Sequence, residues 1–196
     1  GTIGNIDAAF WIQRQFEKAG LLRFGDSYGK KVWISKELTG HNVVGMIPGS
    51  HKTPCDRYIV VGAHFDHLGT LDGKMYPGAD SNASGVAAMI SLAEMISLMR
   101  EDGRSYDCNI IFVAFDAKEH DLSGSEDLWN AISDGTLTDP VSGKQITKKM
   151  VSLMVNIDQV GSTLSPVSNN RKDYLIMLGT PSLKQHKRKV LEEVNS

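Results

Sequence analysis

The decisive stretch is Tyr58-Ile59-Val60-Val61-Gly62-Ala63-His64-Phe65-Asp66-His67, followed closely by Pro77-Gly78-Ala79-Asp80-Ser81-Asn82-Ala83-Ser84-Gly85. The apolar run from Tyr58 to Val61 reads as a buried strand, since a short continuous apolar segment suits a strand covered on both faces. It runs directly into His64 and Asp66. A strand ending this way delivers an imidazole and a carboxylate, and with Asp80 a second carboxylate, to one edge of a sheet. Metal sites are built in this way.

The surrounding chain alternates between strand-like and helix-like patterns. Ile6, Ala9, Phe10, Ile12, Phe16 and Ala19 recur at helical spacing before Gly20, which predicts an amphipathic opening helix over 6–19. Strands are expected over 31–37, 43–47 and 58–63, punctuated by Gly40 and by the turn-rich 48–56. The segment 86–99 is apolar almost all round, with Glu94 its only charge, and suits a buried helix. Strands over 109–115 and 151–157 flank a short helix over 125–133, with Leu128, Trp129 and Ile132 on its inner side. Thr180-Pro181 opens a last helix over 182–194. Strands interleaved with helices after an opening hairpin predict an α/β sandwich with a mixed sheet. Ligands of such sheets bind outside the carboxyl ends of strands. His64 and Asp66 end one strand, Asp116 and Glu119 the next, and Asp158 the last.

Composition narrows the function classes. The chain has 196 residues, 41% of them hydrophobic, enough for an ordinary core in a single domain over 1–196. Its 21 Lys and Arg against 23 Asp and Glu leave a net charge of -2, so nucleic acid is not an expected partner. The cluster of Lys184, Lys187, Arg188 and Lys189 is balanced by Glu192 and Glu193 and reads as a solvated helix face. No apolar run approaches the ~18 residues of a membrane span, and no signal pattern opens the chain, so a soluble protein without membrane contact is expected. Cys55 and Cys108 each precede a strand-like run. If those strands are parallel neighbours, the two thiols come within disulfide reach; two unpaired thiols are the alternative.

A co-catalytic metal pair needs one bridging carboxylate, with imidazole or further carboxylates completing each shell, and zinc takes such ligands at about 2 Å. His64, Asp80, Glu119 and Asp158 are of the right types. A single histidine at a strand end is usually structural, but four ligand-type residues at successive strand or loop ends favour a site. Asn42-Val43-Val44-Gly45-Met46-Ile47-Pro48-Gly49, Gly62 to Gly69, Gly78 to Gly85, Phe115 to Ser125 and Asn156-Ile157-Asp158 together resemble the di-zinc aminopeptidase family. That family includes secreted bacterial leucine aminopeptidases and, more distantly, glutaminyl cyclases.

The resemblance implies a three-layer α/β/α sandwich with a mixed, mostly parallel central sheet. It matches His64 to the imidazole ligand of one metal, Asp80 to the bridging carboxylate, Asp158 to the carboxylate completing that site, and Glu119 to a ligand of the second metal. Asp66 matches the carboxylate that stands behind the ligand imidazole and raises its basicity. It also implies a cis bond after the bridging aspartate, at Asp80-Ser81. His67 and His120 are expected not to be ligands, and His41 and His51 carry no signal.

Two positions depart from the family pattern. The family carries paired glutamates where this chain reads Ala117-Lys118-Glu119, so Lys118 occupies the general-base position. An ammonium cannot accept a proton, which leaves an impaired or repurposed site, or a neutral Lys118 as base. The family also runs on past the position of Asp158 to a histidine on the second metal, whereas His186 sits among Lys184, Gln185 and Lys187 and reads as surface. The expectation is therefore a domain truncated at its C-terminus that binds at most one zinc. The implied activity is removal of N-terminal residues from peptides or proteins by metal-activated water. The alternative is a non-catalytic peptide-binding or assembly domain of the same fold; a glutaminyl-cyclase-like transferase is a weaker third reading. Periplasmic or secreted localisation follows if the cysteines pair.

Overall fold

The computed structural model describes residues 2–50 and 56–162. The chain divides into two units after Gln159, and the architecture below is that of the first. The last helix expected over 182–194, His186, the basic cluster at 184–189 and Cys55 all lie outside the described residues.

Helix α1 (Ile3–Lys18) starts at Thr2, whose hydroxyl accepts a hydrogen bond from the Asn5 N–H. It buries Ala9, Ile12 and Phe16, while Phe10 and Ile6 are exposed. The expected apolar sector was too wide: at 100° per residue the stripe through 9, 12 and 16 turns Phe10 away from the sheet. Then come β1 (Leu22–Arg23), β2 (Gly29–Trp33) and β3 (Thr39–Ile47), with β2 and β3 forming the expected opening hairpin. β2 stops short of the predicted Glu37 because the Ser35 hydroxyl accepts from the Glu37 and Leu38 N–H groups and turns the chain. β4 (Tyr58–His64) leads to a small hairpin, β5 (Gly69–Leu71) and β6 (Lys74–Tyr76), which the strand reading missed. Its turn residues Asp72 and Gly73 both take positive φ, the Asp-Gly signature of a tight hairpin.

An irregular turn over Ala79–Ala83 precedes α2 (Ser84–Glu101), then β7 (Asn109–Phe115), α3 (Ser123–Ser133) and β8 (Val151–Asn156). β1 and β2 share one edge of β3, and the sheet continues β3-β7-β4-β8. β3 is antiparallel to β7, whereas β4 lies between β7 and β8 and runs parallel to both. The sheet is therefore mixed, with its parallel pairs on the β7-β4-β8 side.

Period-two alternation along β7 divides the core into two layers. Ile110, Phe112 and Ala114 pack with Phe16 of α1 and Met89 and Ala93 of α2, while Ile111, Val113 and Phe115 pack with Leu128 and Ile132 of α3. This is the expected α/β/α sandwich. By length and composition Ala79–Glu101 could cross a membrane, with mean hydropathy 1.3. Here Val86, Met89, Ile90, Ala93 and Ile96 form its buried side against the sheet. α2 is a core helix with one exposed face that carries Met95 and Leu98, not a helix buried all round. Trp129 of α3 also departs from expectation: it is exposed, with the Lys148 ammonium 4.7 Å from its ring centroid.

Candidate functional site

Because β7, β4 and β8 are adjacent and parallel, their carboxyl ends fall together, with His64 opposite Phe115 and Gly62 opposite Asn156. That register gathers His64, Asp66, the loop after β7 and Asp158 at one sheet edge. His64 is 3% exposed. Its Nδ1 lies 2.9 Å from the Asp66 backbone carbonyl and 3.7 Å from the Asp66 carboxylate. An Nδ1–H donated to that carbonyl leaves Nε2 with its lone pair. Nε2 is buried, has no hydrogen-bond partner among the described residues, and stands 3.5 Å from Asp158 Oδ1. Burial works against the imidazolium, but the Asp66 side chain and carbonyl and the Asp158 carboxylate outweigh it and raise the His64 pKa.

Asp66 serves two elements at once. Besides His64, its Oδ1 accepts the Lys118 N–H at 3.0 Å and its Oδ2 the Glu119 N–H at 2.9 Å. Burial would raise this carboxyl, yet His64 and the two amides hold it below the usual range. The Lys118 ammonium donates to Glu119 Oε1 at 2.8 Å, and this bond, against a smaller effect of burial, raises its pKa. Lys118 and Glu119 thus present a proton donor joined to a carboxylate.

The loop after β7 is braced by two buried residues. Asn42 of β3 accepts the Asp116 N–H through Oδ1 at 3.0 Å and donates from Nδ2 to the Gly124 carbonyl at 2.7 Å. A Cβ on Gly124 would collide with the Asp116 carbonyl and the Asn42 amide, so this close approach needs glycine. The Asp116 carboxylate accepts from the His41 N–H, the Ala117 N–H and the Asn5 side chain at 2.8, 2.8 and 3.0 Å. Ala117, Asp121 and Leu122 all take left-handed φ in this loop, as does Gln159 just after Asp158. Such conformations persist where surrounding contacts fix them, often at functional sites.

Asp80 lies in the Ala79–Ala83 turn, where its Oδ1 accepts the Ser84 hydroxyl at 3.0 Å. The cis bond of this turn is Ser81-Asn82, one peptide later than expected. His67 Nδ1 accepts the Gly69 N–H at 2.9 Å and lines a cleft of about 120 Å³ with His120, Glu119, Asp66 and Asp116. The structure brings His64, Asp66, Asp158, Lys118 and Glu119 into contact in pairs. Among the described residues it gathers no group of three or more side chains able to hold a metal. The fit to zinc therefore rests on two residues, the unsatisfied His64 nitrogen and the Asp158 carboxylate facing it. Asn42, and Asn82 through its bonds to the backbone of Gly85, Ile157 and Gln159, are site-building residues that the sequence reading passed over.

A mixed sheet with a buried imidazole at the end of a central parallel strand, and carboxylates at the two flanking strand ends, defines a zinc-exopeptidase-like fold. The family described as Peptidase family M28 matches residues 42–189, and the chain belongs to it. The alkaline phosphatase isozyme conversion protein of Escherichia coli (strain K12) is 26% identical over 180 residues, which cover 82% of this chain and 46% of that protein. The zinc aminopeptidase BSAP from Bacillus subtilis is 25% identical, with a TM-score of 0.50, over 68% of this chain and 27% of its own. A glutaminyl cyclase from an Acidobacteriales bacterium shares the fold at 20% identity and a TM-score of 0.60, over 86% of this chain and 56% of its own. The chain spans about half the length of that curated relative.

Proposed function

We propose that this chain carries a metallo-aminopeptidase-like site that takes at most one zinc ion, on His64 and Asp158, with Asp80 as a third ligand on the family resemblance alone, and acts slowly on the N-terminal peptide bonds of peptides or proteins. The observation that carries this reading is the buried His64 Nε2, without a hydrogen-bond partner among the described residues and 3.5 Å from Asp158. Leaving such a nitrogen unsatisfied costs about 1–3 kcal/mol, which a ligand removes. When bound, zinc acts as a Lewis acid and makes water a nucleophile near neutral pH. His64 presents Nε2 because Nδ1 is engaged by Asp66, and Asp66 strengthens the imidazole as a donor to a cation. Lys118 stands where the family places its general base, and there it holds a proton on an ammonium instead of accepting one. Its bond to Glu119 also occupies the carboxylate that the family gives to a second ion. The likeness to a zinc aminopeptidase supports both the metal and the reaction.

Metal analysis of the purified chain should find at most about one zinc, by the ligand arithmetic of catalytic sites. Two tightly held ions would overturn the reading. The Lys118–Glu119 pair also favours a second reading, a peptide-binding or assembly domain without turnover. Retention of unmodified N-terminal peptides by the zinc-loaded protein, with no cleavage even after Lys118→Glu, would select it. A periplasmic or secreted placement belongs to the same proposal. β4 and β7 are parallel neighbours, with Tyr58 opposite Asn109, as disulfide reach from Cys55 to Cys108 requires. Two titratable thiols in the unfolded, unreduced protein would remove that placement.

A further inference from the structure

We propose that a cleft beside helix α3, separate from the candidate active site, binds a free α-amino acid with an apolar side chain. The inference goes beyond the zinc reading and does not depend on it.

The cleft holds about 440 Å³ and lies between α3, the β2–β3 hairpin and the segment 136–138 that follows the helix. That is the size of an ordinary small-molecule site. None of His64, Asp66, Lys118, Glu119 and Asp158 lines it. Lys30 of β2 stands opposite Asn42 of β3 in an antiparallel pair, and residues directly opposite share a sheet face. That face is the one α3 covers, because Asn42 bonds to Gly124 and Val44 packs in the same layer as Leu128. Lys30 therefore borders the cleft from the sheet, and Asp127 borders it from the helix. Both are half-buried. Asp127 has no hydrogen bond or ion pair among the described residues, and burial alone pushes its carboxyl upward, with no cation close enough to offset it. The Lys30 ammonium donates to the Phe24 carbonyl, which leaves two of its three N–H groups for a ligand. Burial lowers its pKa, and Asp26 works against that. Two opposite charges thus line one cleft without neutralising each other. A zwitterion satisfies both, its ammonium donating to Asp127 and its carboxylate accepting from Lys30. A simple cation would leave Lys30 unmatched, and a simple anion would leave Asp127 so. Phe24, Val44, Leu128 and Leu137 are buried around the same space and suit an aliphatic or aromatic side chain.

Equilibrium dialysis of the full chain, stripped of divalent metal by a chelator, against L-leucine and L-phenylalanine tests this. At least one should bind in the millimolar range or tighter, as a ligand of so few atoms can. N-acetyl-L-leucine lacks the ammonium and L-leucinamide the carboxylate, so each should bind at least about tenfold more weakly than L-leucine. Asp127→Asn removes the charge and keeps the shape, and should weaken binding roughly 10–100-fold, the scale of a hydrogen bond to a charged group. Lys30→Met should do the same, with folding checked by circular dichroism. Because Asp127 has no partner to lose, Asp127→Asn should leave the urea midpoint unchanged or raise it, which separates loss of ligand from loss of fold. His64→Ala should bind both amino acids as the unmodified chain does. No binding of either amino acid, equal binding of N-acetyl-L-leucine, or unchanged affinity in both charge variants would overturn the proposal and leave the zinc reading standing. Lost binding in His64→Ala would overturn it too, by moving the amino acid to the candidate active site.

Discussion

Strand β4 carries a buried polar side chain at each end, and each one meets a carboxylate from a distant part of the chain. At the start, the Tyr58 hydroxyl donates to Asp139 Oδ2 at 2.5 Å, and Asp139 Oδ1 also accepts the Val141 and Ser142 N–H groups at 2.8 and 2.7 Å. At the end, His64 faces Asp158 at 3.5 Å with Nε2 lacking a hydrogen bond among the described residues. Tyr58 and Asp139 are both buried, at 1% and 3% exposure, whereas at the other end His64 is buried but Asp158 is exposed, so the two ends differ in access to solvent as well as in satisfaction. A closed buried pair stabilises a fold, whereas an open one keeps a group available for a ligand at a cost in stability. The same strand thus separates structural from functional polarity.

The most forceful test of this contrast is His64→Ala, which should lose zinc binding and any hydrolysis, while its cost to the apo protein is confined to the Nδ1 bond to Asp66 and the packing of the ring, because Nε2 has no hydrogen bond among the described residues. Retained zinc would make this end as structural as the other. Next in size is Lys118→Glu. General-base catalysis contributes about 10²–10⁴ in rate, so the variant should raise zinc-dependent cleavage of aminoacyl reporters by a measurable part of that range. A drop from a rate near the ordinary enzyme median of about 10 per second would instead make Lys118 a working base. Asp139→Ala strands two backbone N–H groups and the Tyr58 hydroxyl, so urea denaturation should show a loss of about 1–3 kcal/mol with zinc affinity unaltered. A change in zinc affinity would mean that the two ends communicate along β4.

The smallest effect concerns acid. Burial opposes the charged form of Asp139, but Tyr58 and the two amides outweigh it and hold the carboxyl below its ordinary value. Burial and the neighbouring carboxylate push Tyr58 upward. A carboxyl depressed in the native state adds stability above the unfolded value of about 3.9 and loses it as pH falls through the native value. The stability gap between the unmodified chain and Asp139→Asn should therefore be constant near neutrality and shrink below pH about 4. A gap independent of acid would mean that Asp139 is not depressed.

His64, Asp66 and Asp158 were legible in the sequence because apolar strands ending in ligand-type residues place them by a general rule of α/β sheets. The β5–β6 hairpin was legible too, through Asp72-Gly73, but the motif search read past it. Asn42 and Asn82 were not, since an amide neither titrates nor marks a period, and its partners are backbone atoms that only the fold brings near. Phe10 and Trp129 were misplaced because a helical wheel assigns sides without the width of the groove that receives them. Lys118 was visible as a departure, but its bond to Glu119 depends on a loop whose left-handed residues no propensity would place together.

The position of β4 between two later strands bears on how the molecule is made. When β4 leaves the ribosome, neither of its neighbours exists; β7 arrives only after α2, and β8 after α3. Until then a strand of mostly buried apolar residues offers unpaired edges, the kind of surface that captures other chains. Parallel pairing across such sequence distances is intrinsically slow. Synthesis rate and chaperone supply should therefore govern the soluble yield of this protein more than any property of its finished surface.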